Sequence, residues 1–207
     1  SFINHDEDAL QEIYEDNWKS KENNSRLIAL SAKARYDSLT TEECELIEHY
    51  FSLGVDWGLF DLYVLSNVVE HINIDLLIDL LDELLSNQEL YAYFVALHDY
   101  RDPLMWILIQ SCLLLMEKKE RFFVQILLRK MERFTAENYL LAKLCLRYLK
   151  GCYEYVFVSE EEGNAMIIRL LDILEDIGAE QLKHFIAYRF NRIKALRKTP
   201  PLNLAGD

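Results

Sequence analysis

The chain has 207 residues, 51% of them apolar, a formal net charge of −13, and only six glycines and three prolines. That length supports one large domain or two small ones around a substantial core. The acidity argues against a nucleic-acid-binding surface, which needs clustered Lys and Arg against phosphates, and the scarcity of helix breakers favours long helices.

Apolar periodicity predicts helix after helix. Asp6 to Trp18 places Leu10, Ile13 and Tyr14 at helical spacing, and KSKENNS breaks the pattern. Arg26 to Leu39 is the second predicted helix. In TTEE, Thr40 or Thr41 caps the third and Glu43 closes a capping box before the apolar face of Leu46, Ile47, Tyr50 and Phe51; Gly54 ends it. Asp56 is the expected cap of a helix running to about Ile72 whose segment DWGLFDLYVLSN is apolar on nearly every side, too broadly for the narrow stripe of a surface helix. NIDLLIDLLDELLSN gives another, starting at Asn73 or Asp75 and ending at Asn87.

Leu90 to Tyr100 is the next predicted helix. Asp102 is then the expected cap and Pro103 the first-turn residue of a helix reaching Lys119. Further helices are expected at roughly 121–134, 136–152, 161–177 and 179–197, and only YEYVFV, 153–158, has strand-like composition. In the helix from Glu137 to Glu154, the expected inward residues are Leu140, Leu141, Leu144 and Leu149. Tyr139, Lys143, Arg147, Lys150 and Glu154 recur on another face.

Short connections make neighbouring helices antiparallel hairpins. LMEKKERF at 115–122 loosely resembles YLKGCYEY at 148–155, an offset of 33 residues, against about 34 in tetratricopeptide repeats. The expected fold is therefore all-α, a tetratricopeptide-like right-handed α-solenoid of stacked antiparallel helix hairpins. Its inner helices have neighbours on two sides, which accounts for a segment as apolar as DWGLFDLYVLSN.

Cys44, Cys112, Cys145 and Cys152 have no CxxC or Cys/His metal spacing, and reduced thiols in a cytoplasmic protein are the expectation. No signal peptide is visible, and apolar runs such as MWILIQSCLLLM are too short and too interrupted to span a bilayer. The chain starts at Ser1 rather than Met, as expected of a piece of a longer polypeptide. HExxH, GxSxG, P-loop and GxGxxG patterns are missing, and Asp79/Asp82/Glu83 and Glu160/Glu161/Glu162 read as solvated faces. No enzyme, cofactor or metal is expected. His98, among aromatic and acidic residues in YAYFVALHDYR, is the candidate for pH sensing, with an ordinary surface histidine as the alternative.

Three stretches carry a resemblance: LTTEECELIEHYFSLGVDWGLFDLYVLSN, LMWILIQSCLLLMEKKE, and LRYLKGCYEYVFVSEEEGNAMIIRLLDILEDIGAEQL. The chain resembles the C-terminal domain of the Rgg/GadR/MutR family of Gram-positive transcriptional regulators, from about residue 5 to 196. The most specific elements are DWGLFDLYVLSN, the turn at Met116 to Lys119, and Lys150-Gly151 followed by EEG at 161–163. The resemblance implies a receptor for short hydrophobic signalling peptides over residues 1–198 that also forms a homodimer. It further implies DNA contacts only through an N-terminal helix-turn-helix domain that this chain lacks, and residues 199–207 are expected to be a flexible C-terminal tail.

Relatives often carry an Asn on the helix at 103–119 that holds the peptide backbone, and the matching position is Gln110. Trp106, Gln110 and Leu113 share one face of that helix, giving apolar walls beside one amide, although core packing is the favoured reading of Trp106. Tyr139, Lys143 and Arg147 on the later helix complete the expected peptide-binding set, with a merely solvated face as the alternative. A helical-repeat scaffold without a peptide signal is the competing function.

Overall fold

Asp6, Thr40, Asn73, Asn87 and Ser159 each accept a hydrogen bond from a backbone N–H two or three residues further on, and a helix begins after each of them. The computed structural model describes residues 6–132 and 139–198, with side chains to residue 195. Among the described residues the secondary structure is eleven helices and no strand. They are α1 (Glu7–Trp18), α2 (Asn23–Lys33), α3 (Thr41–Ser52), α4 (Leu59–Val68), α5 (Ile74–Ser86), α6 (Gln88–Ala96), α7 (His98–Glu117), α8 (Arg121–Met131), α9 (Leu140–Phe157), α10 (Glu160–Asp176) and α11 (Glu180–Lys198). The all-α class holds throughout. The expected tail at 199–207 and the helix ends placed at 134 and 136 lie outside the described residues.

Helix ends follow equally local chemistry. Gly54 and Gly178 take positive φ after α3 and α10, where a side chain would be strained. Lys119 does the same after α7 with φ 66, and the N–H of Glu120 reaches the Leu115 carbonyl at 2.9 Å. That closes a Schellman turn with a non-glycine residue in the left-handed position.

Several expected boundaries move. α2 starts at Asn23 and stops at Lys33, because tight turns bring Arg35 N–H to the Ala32 carbonyl and Tyr36 N–H to that of Lys33. Asp56 does not cap α4. Its N-cap is Gly58, whose N–H is taken by the Asp61 carboxylate at 2.8 Å, and Trp57 stays outside the helix, donating to Glu83 Oε1 at 3.1 Å and stacking near Phe51. Asp102 does not cap α7 either: the helix already begins at His98, and Pro103 lies inside it. The Leu97 carbonyl accepts the Arg101 N–H at 3.0 Å, so the helix is under way before the proline, which removes only the early bond that its own N–H would have made. YEYVFV continues α9 as helix to Phe157, because Tyr155 is buried there with its ring against Phe190 of α11.

The chain divides into two compact units, residues 1–111 and 112–207, with the boundary inside α7. In the first unit α1 pairs with α2, α2 with α4, α3 with α5, and α5 with α6. α4 is buried at Asp61, Leu62, Val64, Leu65, Ser66 and Val68, which is why its sequence is apolar on so many sides. In the second unit α9 packs most extensively on α10, with α8 and α11 also against α9. There Gly163 lies under the Tyr155 backbone, where a Cβ would stand 2.2 Å from the Tyr155 nitrogen.

Candidate functional site

In the first unit, α7 from Pro103 to Ile109 is buried at every position, and Gln110 is the first residue to open. Trp106 is core, with 6% of its surface exposed. Gln110 Nε2 donates to the Ser66 carbonyl of α4 at 2.5 Å. That carbonyl lies in the last turn of α4, where helical partners run out, so the amide serves as a C-terminal cap supplied from another helix.

Within α4 the residues left open are Leu59 and Phe60 in its first turn and then Tyr63 and Asn67, four apart on one side of the helix. Tyr63 is 46% exposed. Its carbonyl accepts both the Ser66 hydroxyl at 2.9 Å and Asn67 Nδ2 at 2.8 Å. Asn67 Oδ1 is shielded from solvent and has no hydrogen-bond donor. Two side-chain amides thus bond backbone carbonyls of α4, Gln110 from α7 that of Ser66 and Asn67 that of Tyr63. The sequence flags Gln110 only by resemblance and gives Asn67 no prominence. Its one signal is an amide inside an otherwise apolar segment.

In the second unit, Leu113 is buried with 1% exposure. The expected polar stripe of α9 faces outward: Lys143, Arg147 and Lys150 are exposed, while Tyr139 and Glu154 are half-buried. Lys150 pairs with Glu132 at 2.8 Å, with both side chains about half in solvent. The inward face of α9 is not quite the expected one. Leu149 is buried as expected, but Leu140 is 60% exposed and Leu141 and Leu144 are half-buried, while Ala142, Cys145, Leu146, Tyr148 and Cys152 are buried in their place. His98 stands exposed at the start of α7, with Nδ1 3.8 Å from the Asp99 carboxylate.

All four cysteines are free, and all but Cys44 are buried. Burial pushes the Cys145 thiol up to about 12 and those of Cys112 and Cys152 further still, so none is poised as a thiolate nucleophile. Among the described residues no group of three or more His, Cys, Asp or Glu is placed to hold a metal ion. Likewise, no described helix is long and apolar enough to cross a membrane. An open depression of about 500 Å³ in the second unit is lined by Tyr155, Glu160, Glu161, Asn164 and Lys194, none of them an expected site residue.

Comparison with known proteins places these features in a family. No curated protein matches the sequence. Among solved structures, the chain is similar to one described as the crystal structure of the PrgX/cCF10 complex, with a TM-score of 0.60, 15% identity and coverage of 94% of this chain. That likeness shows a shared fold, and the chain spans 65% of the length of the PrgX chain. Residues 7–187 match the family described as HTH-type transcriptional regulator Rgg, C-terminal domain. With the match extending from α1 into α11, the chain belongs to the Rgg C-terminal domain family.

Proposed function

We propose that this chain is the ligand-receiving and dimerising part of a quorum-sensing transcriptional regulator. It takes up a short hydrophobic signalling peptide in the cytoplasm and controls transcription through an attached DNA-binding domain. The observation that carries this reading is family membership joined to a fold shared with PrgX, which was solved as a complex with cCF10.

The side chains suit an extended peptide, whose backbone N–H and C=O groups need partners once desolvated. Gln110 keeps its carbonyl oxygen and one N–H after capping α4. Lys143 and Arg147 present cations to solvent on a strongly acidic chain, suited to peptide carbonyls or a terminal carboxylate, with Tyr139 beside them on the same stripe. Trp106 and Leu113 contribute as buried packing behind the open faces of α7. Binding shifts a conformational equilibrium already present in the free protein, to the extent that the peptide prefers one state.

The homodimer is part of the same reading. The acidic first helix and the Lys- and Arg-rich last helix give opposite charges with which two copies orient each other around a two-fold axis. Sedimentation equilibrium at tens of micromolar tests it: a dimer is expected, and a monomer refutes dimerisation by this chain. Peptide uptake is tested by fluorescence polarisation with labelled short hydrophobic peptides, where saturable binding is expected and its absence overturns the receptor reading.

A further inference from the structure

The open stripe on α4 holds a polar atom whose needs the protein does not meet. Asn67 Nδ2 donates to the Tyr63 carbonyl one turn earlier at 2.8 Å, which fixes the plane and the sense of the amide. The reversed orientation would set two carbonyl oxygens against each other. Oδ1 is thereby turned away from Tyr63 O, in a place where neither a protein donor nor solvent reaches it. An unpaired buried acceptor is destabilising, and native proteins seldom retain one without a use for it.

The surroundings narrow what that use is. Ser66, the preceding residue, has its carbonyl held by Gln110 Nε2 at 2.5 Å, so a second side-chain amide reaches the backbone next to Asn67. Gln110 Oε1 is not among the buried atoms lacking a partner, so it remains available from solvent. The pair therefore offers two neutral acceptor oxygens. A carboxylate or phosphate would bring further acceptors against them. A backbone amide brings the N–H they lack, and the spare N–H of Gln110 matches a neighbouring C=O.

We propose that Asn67 is a ligand-reading residue whose Oδ1 accepts a backbone N–H from the bound peptide, with Gln110 as its partner amide. This rests on the peptide-receptor reading above and deepens it. The site selects for an unsubstituted N–H at one position of the ligand, so a proline or N-methylated residue there is rejected. Because Oδ1 is covered in the free chain, ligand entry moves a neighbouring side chain.

The test uses the full chain, its Asn67→Leu variant and two probes. One probe is a fluorescein-labelled mixture of short end-blocked peptides built from Leu, Ile, Val, Phe and Gly. The other is the same mixture N-methylated at alternate backbone nitrogens. Asn67→Leu replaces an amide whose buried oxygen is unsatisfied by an apolar side chain of similar size, so its melting temperature is expected to hold or rise. Its affinity for the unmethylated mixture is expected to fall at least tenfold. N-methylation is expected to weaken binding to the parent by tenfold or more and to Asn67→Leu by clearly less, because the variant has already lost the acceptor. If the parent binds and Asn67→Leu binds equally well, or melts several degrees lower, the assignment of Asn67 is overturned while the receptor reading stands. If the parent binds neither mixture, the receptor reading itself fails and takes this proposal with it.

Discussion

Lys33 and Glu43 are joined by two hydrogen bonds, Nζ to Oε1 at 2.9 Å and to Oε2 at 2.8 Å, with both side chains largely withdrawn from solvent. Glu43 also accepts from the Tyr14 hydroxyl at 3.1 Å and from the Thr40 N–H at 2.8 Å. One carboxylate thus ties α1, α2 and α3 together while completing the capping box of α3.

Removing that carboxylate leaves the Lys33 ammonium withdrawn from water without its counter-ion. Glu43→Ala is expected to lower stability by about 3 to 5 kcal/mol, the usual effect of deleting one member of a buried pair. Urea unfolding of the parent and variant checks it, and a loss below about 1 kcal/mol would place the pair in the class of surface salt bridges.

The same pair sets a pH dependence. Burial alone would raise the Glu43 carboxyl, but the Lys33, Thr40 and Tyr14 hydrogen bonds outweigh it and hold the group below its ordinary value of 4.5. A depressed carboxyl stabilises the fold fully above that ordinary value and loses its contribution as pH falls through the lower folded one. Lys33 is shifted the opposite way: burial opposes its charge, the Glu43 bonds outweigh that, and it stands above 10.5, so its contribution fades only as pH rises past that value. Stability measured by urea midpoint is expected to fall below pH 4.5 more steeply in the parent than in Glu43→Ala. Equal slopes would contradict the assignment.

How much of this was legible depends on the range of the interaction. The Thr40–Glu43 capping box lies within four residues and could be read directly, as could Asn73 and the Gly54 terminus. The start of α4 could not. Trp57 is held outside the helix by Glu83, 26 residues away, and the cap comes from Asp61 reaching back to Gly58. The bond from Gln110 to Ser66 spans 44 residues, so the role of that amide in the free chain had no local signature. Leu140 was expected to face inward because leucines usually do. Its exposure reflects which face of α9 meets α10, and that is decided by the close approach at Gly163 and Gly151.

That approach is itself testable. A Cβ at Gly163 would lie 2.2 Å from the Tyr155 nitrogen and 2.5 Å from its Cα, atoms that move only if α9 moves. At Gly151 the nearest atom is the flexible end of Ile167, at 2.7 Å. Gly163→Ala is expected to destabilise by about 3 kcal/mol, the upper end for overpacking. Gly151→Ala should cost distinctly less, because Ile167 can turn aside and alanine favours the helix by about 1 kcal/mol. Thermal unfolding of both variants decides it, and equal losses would mean that the α9–α10 spacing is not what Gly163 protects.

Arg147 is exposed on α9, so its truncation should leave the fold almost unchanged. If the guanidinium meets a peptide, Arg147→Ala weakens binding at least tenfold, about 1.4 kcal/mol, while helicity and melting temperature stay within error. Lys21→Ala, on the exposed connector between α1 and α2, is the control and should bind as the parent does. Unchanged affinity in Arg147→Ala would move the polar contacts elsewhere.

The central claim is that this chain receives a short hydrophobic peptide, and calorimetric titration at several temperatures tests it most directly. Burial of apolar peptide surface predicts saturable binding with a negative heat-capacity change, so the binding enthalpy becomes more favourable as temperature rises. Titrations of hydrophobic peptides that show no saturable heat at any temperature, with the protein folded throughout, would contradict the account.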